Sequence, residues 1–234
     1  MGRYDLANEA TQQAINTSLH LVTLEPTSGY YRGGLAFAYL GAAKLARLRG
    51  DWPAMQQSAT EAIAAVEEFY TRSKSGDDYV VDCLVLGHER RGLALAEQGQ
   101  LQAAESDWEA AAAIGEAPTT NPFVPRDAAS ARLDLWEWLT DRDQERADDN
   151  RAKAIAAVKN LGKTLPDANR ADLLEEQMRV AYLNGDVDAG DRLYQQMKPD
   201  QLLGGTSLAT DTRRQTCAWL AKHKREQCKS LQEW

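Results

Sequence analysis

The chain carries three histidines and three cysteines, and their spacing limits the chemistry open to them. His20, His88 and His223 are scattered, and His88-Glu89 falls on a predicted helix between Leu86 and Leu93. No H-E-x-x-H pair, Walker loop, G-x-S-x-G or dinucleotide fingerprint accompanies them, so each histidine reads as a structural residue. Gly33-Gly34 resembles a helix entrance more than a phosphate cradle. Cys217 and Cys228 lie eleven residues apart on a predicted helix, about 16 Å along its axis. A disulfide needs Cα atoms within about 7 Å, so the two can bond only if the helix breaks near His223-Lys224 and folds back. Such a bridge would favour an extracytoplasmic setting, and three free thiols a cytoplasmic one. Cys83 reads as a small buried apolar residue. Zinc lacks a Cys-x-x-Cys or a second ligand pair.

Carboxylates concentrate at Asp141, Asp143, Glu145, Asp148 and Asp149. A calcium loop needs a glycine and a distant glutamate in fixed order, which this run does not supply. Acids at the positive end of a helix dipole explain it better. No acid–base pair, nucleophile, metal site or cofactor site emerges, and the expectation is a protein that is not an enzyme.

These residues sit in a chain of 234 residues, 43% hydrophobic and 26% charged, long enough for a real core. Thirty-five acids against 27 bases give a net charge of −8, which disfavours binding to phosphate backbones, so nucleic acid is not an expected partner. No apolar run approaches the roughly 20 residues of a spanning helix, and no signal peptide is expected.

Alanine is clustered, as in Ala62-Ile63-Ala64-Ala65-Val66 and Ala110-Ala111-Ala112-Ala113-Ile114. It is the best helix former and lets helices approach closely. Period-two β-branched runs are almost absent, so the chain reads as all-α. Breakers place helices over about 4–24, 35–49, 53–72, 79–98, 101–114, 127–139 (capped by Asp127), 144–161, 170–184, 187–197 and 210 to the end. The stretch Gly115–Arg126, with three prolines, reads as a long loop. From Arg213 to Lys229 six bases face one acid, a net of +5 that leaves −13 on the remainder. This last helix reads as a basic cap, with Ala218, Leu220, Ala221 and the cysteines to bury; an acidic partner or a membrane is the alternative.

Four segments share one pattern, starting at Gly2, Gly50, Gly99 and Gly185. A glycine ends one helix, a large apolar residue opens the next two positions on, and a small residue follows three further along, with Met55 the exception. The glycines are 48, 49 and 86 apart, and the Asp141-Arg142-Asp143 turn falls near the middle of the last gap. Fixed-period helical hairpins are the mark of an α-solenoid.

The segment Arg91–Ala111 resembles a tetratricopeptide repeat (TPR). Gly92 matches the family's small residue at the helix crossing, Leu95 and Trp108 its large packing residues, and Ala104 and Ala111 its second-helix alanines. In the Gly50 copy Tyr39, Ala43, Trp52 and Ala62 take packing positions. Tyr194 does so in the Gly185 copy, and Tyr4 and Ala7 in the opening helix. The resemblance runs over roughly 2–197, with a period longer than the usual 34 residues. It implies an α-solenoid of antiparallel hairpins over 1–208, about four to five with the first incomplete, and a C-terminal capping helix over 209–234.

The same resemblance implies a non-catalytic module that binds a protein or peptide in a groove lined by the first helix of each hairpin. By matching position the groove residues are Phe37, Leu40, Lys44 and Arg47, then Glu89, Leu93 and Glu97, then Asp172, Glu175, Arg179 and Tyr182. Leu40 and Lys44 do not reproduce the family's clamp for C-terminal carboxylates. Trp136 and Trp138 point to different sides of one helix, so one belongs to the core and the other is a contact candidate. Lengthened repeats are similar to those of bacterial regulators and receptors. The alternative function is therefore the sensory domain, possibly periplasmic, of a receptor kinase or transcription activator, binding a small ligand or partner protein. The unpaired opening helix implies a piece of a longer chain.

Overall fold

The structure is a computed structural model that describes residues 2–73, 77–117, 119–165 and 170–196. Among the described residues the regular elements are nine helices: α1 Gly2–Leu24, α2 Gly29–Arg49, α3 Trp52–Ser73, α4 Asp78–Glu97, α5 Leu101–Gly115, α6 Phe123–Leu139, α7 Gln144–Thr164, α8 Arg170–Leu183 and α9 Val187–Gln196. The fold is all-α and repeat-like, with successive helices in contact. No described helix is long and apolar enough to cross a membrane. The chain divides into two compact units, Met1–Leu135 and Trp136–Trp234. Cys217, Cys228, His223 and the basic helix expected from Thr210 lie outside the described residues.

Three turns share one geometry. Gly50, Gly99 and Gly185 have φ of 67°, 75° and 80°, a left-handed conformation that would cost an L-residue about 1–2 kcal/mol. The next residue closes each turn by donating its N–H five residues back: Asp51 to Ala46, Gln100 to Leu95 and Asp186 to Ala181, at 2.9–3.0 Å. These bonds satisfy carbonyls that the helix end leaves free. Asp51 and Asp186 then cap the following helix, their Oδ1 atoms accepting from Ala54 N and Ala189 N.

In the first unit α2 packs on α1, α3 and α4, and α4 on α3 and α5. Ala36, Leu40, Ala62, Ile63, Val66, Val80, Cys83 and Leu84 form one core cluster, with Tyr39 against its edge. Ala43, Ala46, Met55 and Ala94 form another, bordered by Trp52. Gly92 marks a close crossing of α4 with α5. A Cβ there would stand 2.7 Å from the Trp108 ring nitrogen and 3.1 Å from the Ala104 carbonyl. Leu95, Ala104, Trp108 and Ala111 are all buried around it. Ala7 is half-buried. Tyr4 differs from expectation: it is 46% exposed, and the Arg49 guanidinium stands 5.8 Å over its ring. A surface cation–π contact replaces core packing there.

Two helices begin earlier than the sequence pattern predicts. α2 starts at Gly29, because Ser28 caps it by accepting from Tyr31 N. Gly33 and Gly34 are therefore helical, and a Cβ at Gly33 would meet the Tyr79 ring at 2.6 Å. α6 starts at Phe123 rather than after Asp127. The Asn121 carboxamide oxygen accepts from Phe123 N at 2.9 Å, and Pro125 sits in the first turn, where its missing N–H is harmless. Asp127 is buried in the helix instead of capping it.

In the second unit α7 contacts α8, and α8 contacts α9. Asp143 caps α7 by accepting from Arg146 N at 3.1 Å, consistent with a solvated helix start. Leu174, Met178, Tyr182 and Val187 form one core cluster, with Leu193 and Tyr194 at its edge. Trp136 is buried, whereas Trp138 is half-buried with Arg142 4.2 Å over its ring.

Candidate functional site

His88 and Cys83 are both engaged in contacts between helices. His88 Nδ1 lies 2.8 Å from Asp107 Oδ1. Arg91 holds the same carboxylate with two bonds of 2.7 Å, Nε to Oδ2 and Nη2 to Oδ1. Burial pushes Asp107 up, but the bonds from Arg91 and His88 outweigh it and hold the carboxyl below its usual range. The triad ties α4 to α5. The Cys83 thiol donates to the Gly33 carbonyl at 3.5 Å. Burial, then the charge of Asp82, pushes it up to about 12, so it stays a thiol at neutral pH. Among the described residues no cluster of three His, Cys, Asp or Glu is arranged to hold a metal ion.

An exposed aromatic surface lies on α2 and α4. Tyr30 is 71% exposed and Phe37 54%. Tyr30, Gly34 and Phe37 fall at i, i+4 and i+7 on one side of α2. Tyr79 of α4 joins them by resting on Gly33. Its ring centroid is 6.4 Å from that of Tyr30 and 6.2 Å from that of Phe37, with tilts of 39° and 40°. A Cβ built at Gly34 meets nothing within 4 Å, so an open notch separates Tyr30 from Phe37. Burial, chiefly, raises the Tyr79 phenol to about 12. Asp77 caps α4 beside it, accepting from Tyr79 N. Asp78 is held below its usual range by the hydroxyls of Thr119 and Thr120, which pin the loop before α6 to the start of α4.

Both α4 and α6 also carry buried acids. Asp82 and Glu89 of α4 and Asp127 of α6 are all buried. Asp127 is raised to about 7 by burial and the Asp82 charge, although Arg126 pulls it down. Glu89 is raised to about 7 by burial and the charge of Asp134, against the pull of Arg90 and Arg47. The Arg90 guanidinium donates to the Leu40 carbonyl of α2 at 2.6 Å.

The residues expected to line a groove divide by burial. Phe37, Lys44 and Glu97 are exposed, and Arg47, Leu93, Asp172 and Glu175 are half-buried. Leu40, Glu89, Arg179 and Tyr182 are buried and removed from a contact surface. Leu40 fills the core between α2, α3 and α4. Arg179 pairs with Glu176 and Glu137. The Tyr182 hydroxyl donates to Asp191 at 2.7 Å. Tyr30 escapes the sequence reading because α2 is expected to start at Leu35, and Tyr79 because its place against Gly33 depends on how α4 lies on α2. The Tyr30–Gly34–Phe37 spacing carries the signal once the helix is extended back.

No protein-family model matches the chain, and no curated protein resembles it in sequence. Among solved structures the chain is similar to BtubC (BKLC) from P. vanneervenii. The identity is 18% and the TM-score 0.55, over 95% of this chain and 90% of that one. At that identity the likeness is one of fold.

Proposed function

We propose that the chain is a non-catalytic, TPR-like α-solenoid module that binds a protein or peptide along the first helices of its hairpins. The aromatic surface of Tyr30, Phe37 and Tyr79 carries this reading. Tyr30 and Phe37 stand largely in water beside the half-buried Tyr79; fully covering an exposed ring gains at most about 1.5–3 kcal/mol, and aromatic anchors dominate binding energy at interfaces. The three repeated glycine turns and the Gly92–Trp108 crossing support the repeat assignment. Lys44 and Glu97, exposed farther along the same helices, supply a polar rim. The basic segment 209–234 is assigned as a cap on its sequence alone.

A peptide display library panned on the purified chain tests the reading. Selected peptides carry an apolar or aromatic side chain for the notch at Gly34. Phe37→Ala and Tyr30→Ala each weaken capture at least tenfold, about 1.4 kcal/mol, whereas Lys44→Ala changes mainly the salt dependence. Binders indifferent to both aromatic substitutions would overturn the assignment.

A further inference from the structure

The aromatic surface belongs to a longer ridge on α2. Tyr30, Gly34, Phe37, Gly41, Lys44 and Leu48 follow one another at alternating steps of four and three residues, the spacing that lines up one side of a helix. Tyr30, Phe37, Lys44 and Leu48 are exposed, whereas Gly33, Ala36, Leu40 and Ala43 are buried on the opposite side. Long side chains recur every seven residues, at Tyr30, Phe37 and Lys44, with one of the two glycines in each interval. Tyr79 of α4 borders the first interval, and Thr11 of α1 borders the second. These two glycines have no packing reason. At Gly33, Gly87 and Gly92 a Cβ would stand 2.6–2.7 Å from a neighbouring side chain, so the fold needs the vacancy. At Gly34 a Cβ meets nothing within 4 Å, and at Gly41 only the Thr11 methyl at 3.9 Å, an ordinary contact. Glycine inside a helix is less stable than alanine, so the fold gains nothing from either.

Seven helical residues span about 10.5 Å, which sets the distance between the two notches. A helix laid along α2 repeats its own side chains at i and i+7 over the same distance. Alternate residues of an extended strand recur about every 6.7 Å, and every third residue of a polyproline helix about every 9.3 Å. Neither keeps step with both notches. Building on the binding role proposed above, we propose that the partner is an amphipathic helix, two of whose apolar side chains, seven residues apart, seat over Gly34 and Gly41 beside the rings of Tyr30 and Phe37. Such anchors enter the notches as knobs enter holes. Lys44 stands three residues past Gly41 and is exposed, so it selects an acid one turn outside the second anchor.

The test pans the purified chain against two display libraries of equal length, one an alanine-based helix randomised on one side and one proline-rich and extended. The helical library is expected to give the tighter binders. In the complex the isotope-labelled peptide should show helical carbon-13 shifts across both anchors, and a proline placed between them should weaken capture about tenfold or more. Gly34→Ala and Gly41→Ala each fill a notch. Each should weaken capture about tenfold with a thermal midpoint no lower than that of the wild type; a merely structural role for the glycines would leave affinity unmoved. Lys44→Glu should reverse the preference between glutamate and lysine at the outer position of the peptide. A bound peptide with extended shifts, a helical library that yields no binder, or glycine variants that bind as the wild type does would overturn the proposal. Where Phe37→Ala still weakens capture in those cases, the binding surface stands and only the helical partner falls; where Phe37→Ala is inert too, the surface itself falls.

Discussion

In the α4–α5 hairpin the glycine stands on the first helix and the large ring on the second: Gly92 receives Trp108. In the α8–α9 hairpin the order is reversed. Tyr182 stands on the first helix and Gly190 on the second, where an added Cβ would lie 2.4 Å from the tyrosine ring. The turns joining the two hairpins are alike, with Gly99 and Gly185 both left-handed. Close approach of two helices needs one large side chain and one vacancy opposite it, and either helix can supply the vacancy. A repeat can therefore keep its turn while exchanging the partners in its crossing.

The largest expected effect comes from emptying the first crossing. Trp108→Ala removes a ring that is 2% exposed and should cost about 3–5 kcal/mol, read as a fall in the urea midpoint at unchanged slope. A much smaller loss would mean that α5 does not depend on this crossing and that the comparison fails.

Filling the vacancies should cost less, about 1–3 kcal/mol each for Gly92→Ala and Gly190→Ala, and here the hairpins should part. The three atoms nearest a Cβ at Gly190 all belong to the Tyr182 ring, whereas at Gly92 the Ala104 carbonyl also closes the space at 3.1 Å. A smaller residue in place of the ring, Tyr182→Leu, should rescue Gly190→Ala relative to its own single variant. Trp108→Leu should leave part of the Gly92→Ala loss in place, because backbone cannot be trimmed. Equal coupling energies in the two double-mutant cycles would erase the distinction.

The turns and the Gly92–Trp108 crossing were legible in the sequence because local signals fix them: glycine for a left-handed φ, aspartate for a cap, alanine for close packing. The start of α2 was not. Gly33-Gly34 reads locally as a break, but Tyr79, forty-six residues away in the chain, rests on Gly33 and gives the missing side chain a purpose. Asp127 reads as a cap, since aspartate favours that position, yet Asn121 holds the cap and Asp127 goes inside. Tyr182 was placed in a groove by a template that puts the small residue on the first helix, and the reversed crossing sends it to the core. The aromatic surface was half legible, through Phe37 alone. Its other rings depend on where α2 begins and on how α4 lies against it.

Hydrogen-exchange footprinting of the chain with a display-selected peptide bound tests the binding surface most directly. The account predicts new protection over Tyr30–Phe37 of α2 and the first turn of α4, lost in Phe37→Ala at the same peptide concentration. Protection confined to α3, α5 or the α8–α9 hairpin, with α2 unchanged, would contradict it.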